Sequence, residues 1–246
     1  AYLHKGIPHY LMDFLPPTET YAAPQWRDAA LKAINGIVKR KHLPIVVGGT
    51  GLYISSIIDN LQFPEVEPQP AYREALDQKP LRDLVSLLLI LDPEALEFVD
   101  IKNKRRVIRA LEVLTFSGKK FSELRKKGAP IVEPLQIGIA RTHKDLYARI
   151  RVAIEKMVKQ GLVKEIRALL KEDIPLSAPA MTAIGYKDFA DYLLGKVTLQ
   201  EAVEKLKKQT IQYAKRQWTW FKRDPRIHWV KSEEEGIEVV EEWLKY

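Results

Sequence analysis

The sequence predicts an α/β protein interrupted by a helical insertion, and three observations predict it. Leu43-Pro44-Ile45-Val46-Val47 is a short, wholly apolar, β-branched run closed by Gly48-Gly49-Thr50-Gly51. Helical patterns flank it, and such runs are typical of strands buried on both faces of a parallel sheet. A second run of this kind is Leu135-Gln136-Ile137-Gly138-Ile139-Ala140. Between the two, from Pro64 to about Pro134, the pattern is helical and offers no convincing strand pair. The expected organisation is therefore 1–63 as the first part of an α/β core, 64–133 as a helical insertion, and 134–246 as the second, mostly helical part of the core.

The elements follow in order. Pro24 to Lys41 reads as a helix: Trp26, Ala30, Ile34 and Val38 recur every four residues, Pro24 suits a first turn, and Lys39-Arg40-Lys41 suits the negative end of the dipole. The apolar run and glycine turn come next, then a helix over Leu52–Ile58. Pro64, Pro68 and Pro70 mark a linker, followed by helices at Ala71–Gln78, Leu81–Leu91, Pro93–Val99 and Asn103–Thr115. Pro130 and Pro134 close the insertion. Leu146, Ile150, Ile154, Met157 and Leu162 mark one helix face, and Val163–Leu170 continues after Gly161. In the helix from about Leu199 to Lys222, Val203, Leu206, Thr210, Tyr213, Gln217 and Trp220 step by threes and fours. Ile227–Val230 reads as an edge strand, and the acidic stretch from Ser232 as a solvated terminal helix.

Composition removes whole classes of function. The 246 residues are 46% hydrophobic and 29% charged, as in an ordinary globular protein of one large domain or two modest ones. With no cysteine there is no disulfide framework, thiolate zinc site or thiolate nucleophile, and a reducing compartment, the cytoplasm, is expected. No apolar stretch approaches the roughly 18 residues that a membrane span requires. The chain opens on Ala1-Tyr2-Leu3-His4, with neither Met nor a basic-apolar leader, which is expected of a fragment or a partial chain.

Charge is the first positive signal. The net charge is +8, and Asp100 to Pro130 concentrates it: Lys102, Lys104, Arg105, Arg106, Arg109, Lys119, Lys120, Arg125, Lys126 and Lys127 stand against Asp100, Glu112 and Glu123. From Ser232 the balance reverses, with six glutamates against Lys245 alone. A basic middle with an acidic tail suits either a localised anion-binding face or a solvated helical surface.

Three segments could carry chemistry. Gly48, Gly49 and Gly51 would let backbone N–H groups approach an anion at a helix N-terminus. Leu52-Tyr53 follow where a Walker A loop has Lys and Ser or Thr, so a tight strand-to-helix turn is the favoured reading of this segment taken alone. Arg105, Arg106 and Arg109 project from one side of a helix, suited to phosphates and unpaired bases or to surface salt bridges. Tyr213 to Trp220 mixes Lys215 and Arg216 with aromatic residues, which fits RNA or a diphosphate, while Tyr213 and Trp220 at heptad spacing also fit a core. The histidines at 4, 9, 42, 143 and 228 form no metal-ligand pair. Asp13, Asp92, Asp145 and Glu112 are possible acids or bases that spacing does not distinguish.

Taken together, five stretches resemble the tRNA dimethylallyltransferase (tRNA isopentenyltransferase) family. They are Gly6-Ile7-Pro8-His9-Tyr10-Leu11-Met12-Asp13, Pro44 to Tyr53, Arg106-Val107-Ile108-Arg109-Ala110-Leu111-Glu112-Val113, Met181-Thr182-Ala183-Ile184-Gly185-Tyr186-Lys187, and Tyr213 to Trp220. The resemblance implies a core like that of P-loop kinases and an insertion that grips the tRNA anticodon stem-loop. It implies transfer of a dimethylallyl group from dimethylallyl diphosphate to N6 of adenosine 37, with Mg²⁺ on the leaving diphosphate and a carboxylate taking the N6 proton. Carried over by match, Thr50, Arg73, Arg105, Arg106, Val107, Ile108, Arg109, Met181, Gly185 and Tyr186 would meet the tRNA. Gly48, Gly49, Gly51, Lys215 and Arg216 would lie on the diphosphate side of the core. The protein is expected to act as a monomer.

The match also has departures. The family's phosphate loop and the aspartate regarded as general base precede the Gly-Ile-Pro-His motif, whereas five residues precede Gly6 here. The stretch is therefore expected to be inactive alone, and an intact longer protein to be active. Ala153 and Ile211 stand where the family commonly has arginine. A phosphate-loop kinase would share the core yet leave the arginine helix unexplained; an RNA-binding module without catalysis would account for the helix.

Overall fold

The computed structural model describes residues 2–124 and 127–245. It opens with an antiparallel hairpin, β1 (Tyr2–His4) and β2 (Ile7–His9), paired Tyr2 to His9 and His4 to Ile7. The two turn residues, Lys5 (φ 48°) and Gly6 (φ 77°), are both left-handed, the combination that matches the twist of a two-residue hairpin. Helix α1 (Ala23–Lys39) follows with Pro in its first turn and Lys39 in its last.

Leu43–Val47 forms no strand, a correction to the sequence expectation. Ile45 is 77% and Val47 90% exposed. An apolar run becomes a strand only when a neighbour supplies its hydrogen bonds, and among the described residues none pairs with it. Helix α2 (Gly51–Ile58) begins directly after the glycine turn.

The next stretch is helical: α3 (Pro70–Asp77), α4 (Leu81–Leu91), a 3₁₀ turn at Pro93–Glu97 in place of the expected longer helix, α5 (Lys104–Ser117) and the short α6 (Phe121–Leu124). Helix α5 is well bounded: the Asn103 side chain accepts from the Arg106 N–H, and Gly118 (φ 67°) ends it in the left-handed region.

Strand β3 (Gln136–Ile139) leads into α7 (His143–Gln160) and α8 (Leu162–Lys171). A 3₁₀ turn (Pro179–Thr182), α9 (Tyr186–Leu193) and α10 (Leu199–Phe221) follow, with a capping box of Thr198 and Glu201 opening α10. Strand β4 (Ile227–Val230) then pairs in parallel with β3, Gln136 opposite Ile227 and Ile139 opposite Val230, so four helices make the crossover. Helix α11 (Glu233–Trp243) has Glu233, Glu234 and Glu235 in its first turn, where the helix dipole favours negative charge.

The chain divides into two compact units: Ala1–Gly51 with Pro134–Tyr246, and Leu52–Glu133. The first is centred on Ile150, Ile154, Ile166, Met181, Phe189 and Leu206, where α7, α8, α9 and α10 meet. The second is centred on Leu76, Leu84, Leu88, Val107, Ile108 and Leu111, which pack α3, α4 and α5 together. Its ends are clasped: Asn60 Nδ2 donates to the Ala129 carbonyl (2.7 Å), Gly128 N–H donates to the Asn60 carbonyl (2.9 Å), and Lys127 pairs with Asp59 (3.2 Å).

Candidate nucleic-acid interface

In the first unit the glycine turn lies against α10. Gln217 and Trp220 follow Tyr213 by four and seven residues, so the three share one helix face. A Cβ at Gly49 would sit 1.8 Å from Gln217 Nε2, and one at Gly51 would sit 2.3 Å from Trp220 Nε1. Between them Thr50 Oγ1 lies 3.4 Å from the Tyr213 hydroxyl. The two glycines thus permit backbone to touch a helix, while Gly48 has open space around it. The Arg216 guanidinium stands over the Tyr213 ring (5.7 Å) and Lys215 over the Tyr147 ring (5.8 Å). Two segments far apart in sequence therefore meet, and Thr50 and Arg216 share Tyr213 as a neighbour. Tyr213 and Trp220 serve packing, yet Trp220 and its neighbour Trp218 keep much of their rings exposed, with Trp218 against Trp229 at 4.9 Å.

Met181, Gly185 and Tyr186 are placed differently from an open RNA face. Met181 is fully buried in the helical core, because the 3₁₀ turn that carries it packs against α9. Gly185 has φ +89°, and a Cβ there would lie 2.7 Å from Leu206 Cδ1, so only glycine fits. The Tyr186 hydroxyl donates to the Glu165 carboxylate. Burial first, then that hydrogen bond and negative charge, push the Tyr186 hydroxyl up to about 12.

In the second unit α5 separates its residues by face. Val107 and Ile108, expected among the RNA contacts, are buried, since helical periodicity turns them with Leu111 into the core. Arg105 and Arg106 point outward, with Arg106 Nη1 3.9 Å from Asp100 Oδ2. They line, with Phe98, Val99, Asn103, Arg109 and Phe121, an open cavity of about 330 Å³. Arg125 and Lys126 of the basic stretch lie outside the described residues.

Arg73 and Arg109 are held by a residue that spacing did not single out. The Glu112 side chain is fully buried, and four donors converge on it. Arg73 donates through Nε to Oε1 and through Nη2 to Oε2, both at 2.7 Å. Arg109 Nη1 donates to Oε2 at 2.5 Å, and the Gln69 N–H to Oε1 at 2.7 Å. Arg109 also gives Nη2 to the Val66 carbonyl (2.9 Å). Burial raises the Glu112 carboxyl, but the hydrogen bonds from Arg73, Arg109 and Gln69 outweigh it and bring it down to about 2. The separation of three between Arg109 and Glu112 was a visible signal. No local rule pairs Glu112 with Arg73, which lies 39 residues earlier.

Among the described residues, no group of three or more His, Asp or Glu side chains is placed to hold a metal ion by itself.

Comparison with known proteins agrees across the chain. The model of the family described as IPP transferase matches residues 2–224. A protein of Carboxydothermus hydrogenoformans named tRNA dimethylallyltransferase is 40% identical over 245 residues, covering 97% of this chain and 78% of the relative. The crystal structure of the full-length tRNA isopentenylpyrophosphate transferase from Bacillus halodurans superposes with a TM-score of 0.68. It is 32% identical, with 98% of this chain and 78% of that one covered. A eukaryotic dimethylallyltransferase acting on tRNA, 24% identical, shares the fold with a TM-score of 0.74 over 92% of this chain and 60% of its own.

Proposed function

The chain belongs to the IPP transferase family, and from that membership we propose that it is a tRNA dimethylallyltransferase. The reaction joins C1 of the dimethylallyl group of dimethylallyl diphosphate to N6 of adenosine 37, beside the anticodon. The C1–O bond breaks, diphosphate leaves, and a proton departs from N6. The adenine must leave its stack, which costs little in an anticodon loop. The observation that carries the proposal is 40% identity over 97% of the chain to a protein of that name.

Within this reading the residues take distinct parts. Arg105 and Arg106 are exposed cations for the phosphates of the anticodon stem-loop, and Arg73 touches the RNA from the start of the insertion. Thr50 lies near the flipped base. Gly48, Gly49, Gly51, Lys215 and Arg216 border the diphosphate side, where backbone N–H groups and cations would stabilise the charge that develops on the leaving group. Val107, Ile108, Met181, Gly185 and Tyr186 shape the surfaces that meet the RNA from beneath. We assign β3 and β4 to a parallel sheet like that of P-loop kinases. We also propose that the protein works as a cytoplasmic monomer; no helix among the described residues is long and apolar enough to cross a membrane.

A prenyl-transfer assay tests the proposal, using the intact purified protein, an anticodon stem-loop with adenosine at position 37, dimethylallyl diphosphate and Mg²⁺. The expected product is the stem-loop heavier by one dimethylallyl group at that adenosine. Salt-sensitive binding without transfer would leave an RNA-binding protein; neither binding nor transfer would overturn the reading.

A further inference from the structure

We propose that Glu112 is a positioning residue for tRNA, holding Arg73 as a preset donor at the start of the insertion. The inference rests on tRNA being the substrate. Glu112 engages one edge of the Arg73 guanidinium, Nε and Nη2, in a bidentate pair at 2.7 Å on both arms. A planar guanidinium gripped along one edge cannot rotate, and its Nη1 N–H groups are not used in that pair. The carboxylate is fully buried while the Arg73 side chain keeps 40% of its surface, so the guanidinium bridges interior and solvent. Arg109 plays the inward part: one Nη goes to Glu112 and the other to the Val66 carbonyl. With the Gln69 N–H on the same carboxylate, the entry segment, α3 and α5 share one anchor.

Stability alone is a weak reason for such an arrangement. A buried ion cluster must offset a desolvation cost that well-packed apolar residues of similar volume avoid. The α3–α5 contact already has Leu76, Val107, Ile108 and Leu111 in its core, and Tyr72 adds a 2.9 Å hydrogen bond to Thr115. Glu112 adds orientation: two guanidiniums are held close together, one of their charges is cancelled, and the Arg73 Nη1 side is left outside the pair.

The test is binding of an anticodon stem-loop RNA to the full chain at fixed salt, for wild type, Glu112→Gln, Arg73→Ala, the double variant, and Arg73→Lys. Circular dichroism and thermal melting check that each is folded. Glu112→Gln is expected to weaken binding about tenfold, and to change it less than about twofold once Arg73 is alanine, because both act through one guanidinium. Arg73→Lys is expected to bind as weakly as Arg73→Ala, since an ammonium keeps the charge and loses the fork. That arm stands even where Glu112→Gln fails to fold. Additive losses across the cycle, or wild-type binding by Arg73→Lys, would overturn the positioning role while the tRNA reading stood. A wild-type chain that does not bind the stem-loop would overturn both.

Discussion

At the scale of single residues, Glu112 is a charge kept inside the protein by its partners. Its folded-state carboxyl, at about 2, lies below its ordinary value of 4.5. A depressed carboxyl contributes stability that is complete above about pH 4.5 and is lost as pH falls through about 2. The size is on the order of 3 kcal/mol for a shift of this kind. The stability difference between wild type and Glu112→Gln, from urea unfolding followed by circular dichroism, should therefore be largest at pH 7 and shrink towards pH 3. A difference independent of pH would exclude the charge as its source. This residue also marks what was legible at this scale. Arg105 and Arg106 could be read as outward from their spacing and are exposed. The acid that organises Arg73 could not, because a contact over 39 residues obeys no helical or strand period. The helical period that turns Arg105 and Arg106 outward also turns Val107 and Ile108 inward, and both are buried.

At the scale of elements, the glycine turn and α10 form one joint. Gln217 meets a Cβ at Gly49 with the far end of a flexible side chain, whereas Trp220 meets one at Gly51 with a rigid indole. Gly51→Ala should then destabilise the first unit by about 1–3 kcal/mol, and Gly49→Ala by less, since the amide can swing aside. All five tryptophans (Trp26, Trp218, Trp220, Trp229 and Trp243) belong to that unit, so the urea midpoint of tryptophan fluorescence reports it selectively. Equal midpoints for the two variants would show that the turn does not depend on Trp220. The long helices were readable because an apolar stripe every three or four residues is a local property of the sequence. Leu43–Val47 departs from its apolar pattern for the complementary reason: a strand is defined by its neighbour, and apolar composition does not supply one. The β1–β2 hairpin carries no legible strand pattern because its strands are three residues long and Pro8 sits in one of them.

At the scale of the whole molecule, function depends on which positive charges are already neutralised. The sequence shows a net +8 and a basic stretch from Asp100 to Pro130, but not which of those cations remain available. Arg73 and Arg109 share the buried charge of Glu112, so together they contribute less than two charges to an approaching polyanion. Arg105 and Arg106 are exposed, and the acid paired with Arg106 among the described residues, Asp100, stands 3.9 Å from it. An exposed pair at that distance contributes little and yields readily to a phosphate. Arg105→Ala combined with Arg106→Ala should thus weaken stem-loop binding and also flatten its salt dependence. The slope of log Kd against log salt should fall by roughly 1.4–1.8, about 0.7–0.9 for each phosphate no longer neutralised. Binding isotherms from about 50 to about 300 mM KCl would measure it, since each released counter-ion registers in the slope independently of overall affinity. A slope that stays at the wild-type value would remove both arginines from the phosphate interface. A slope that falls by half the expected amount would mean that one of them meets a phosphate while the other faces a base or solvent.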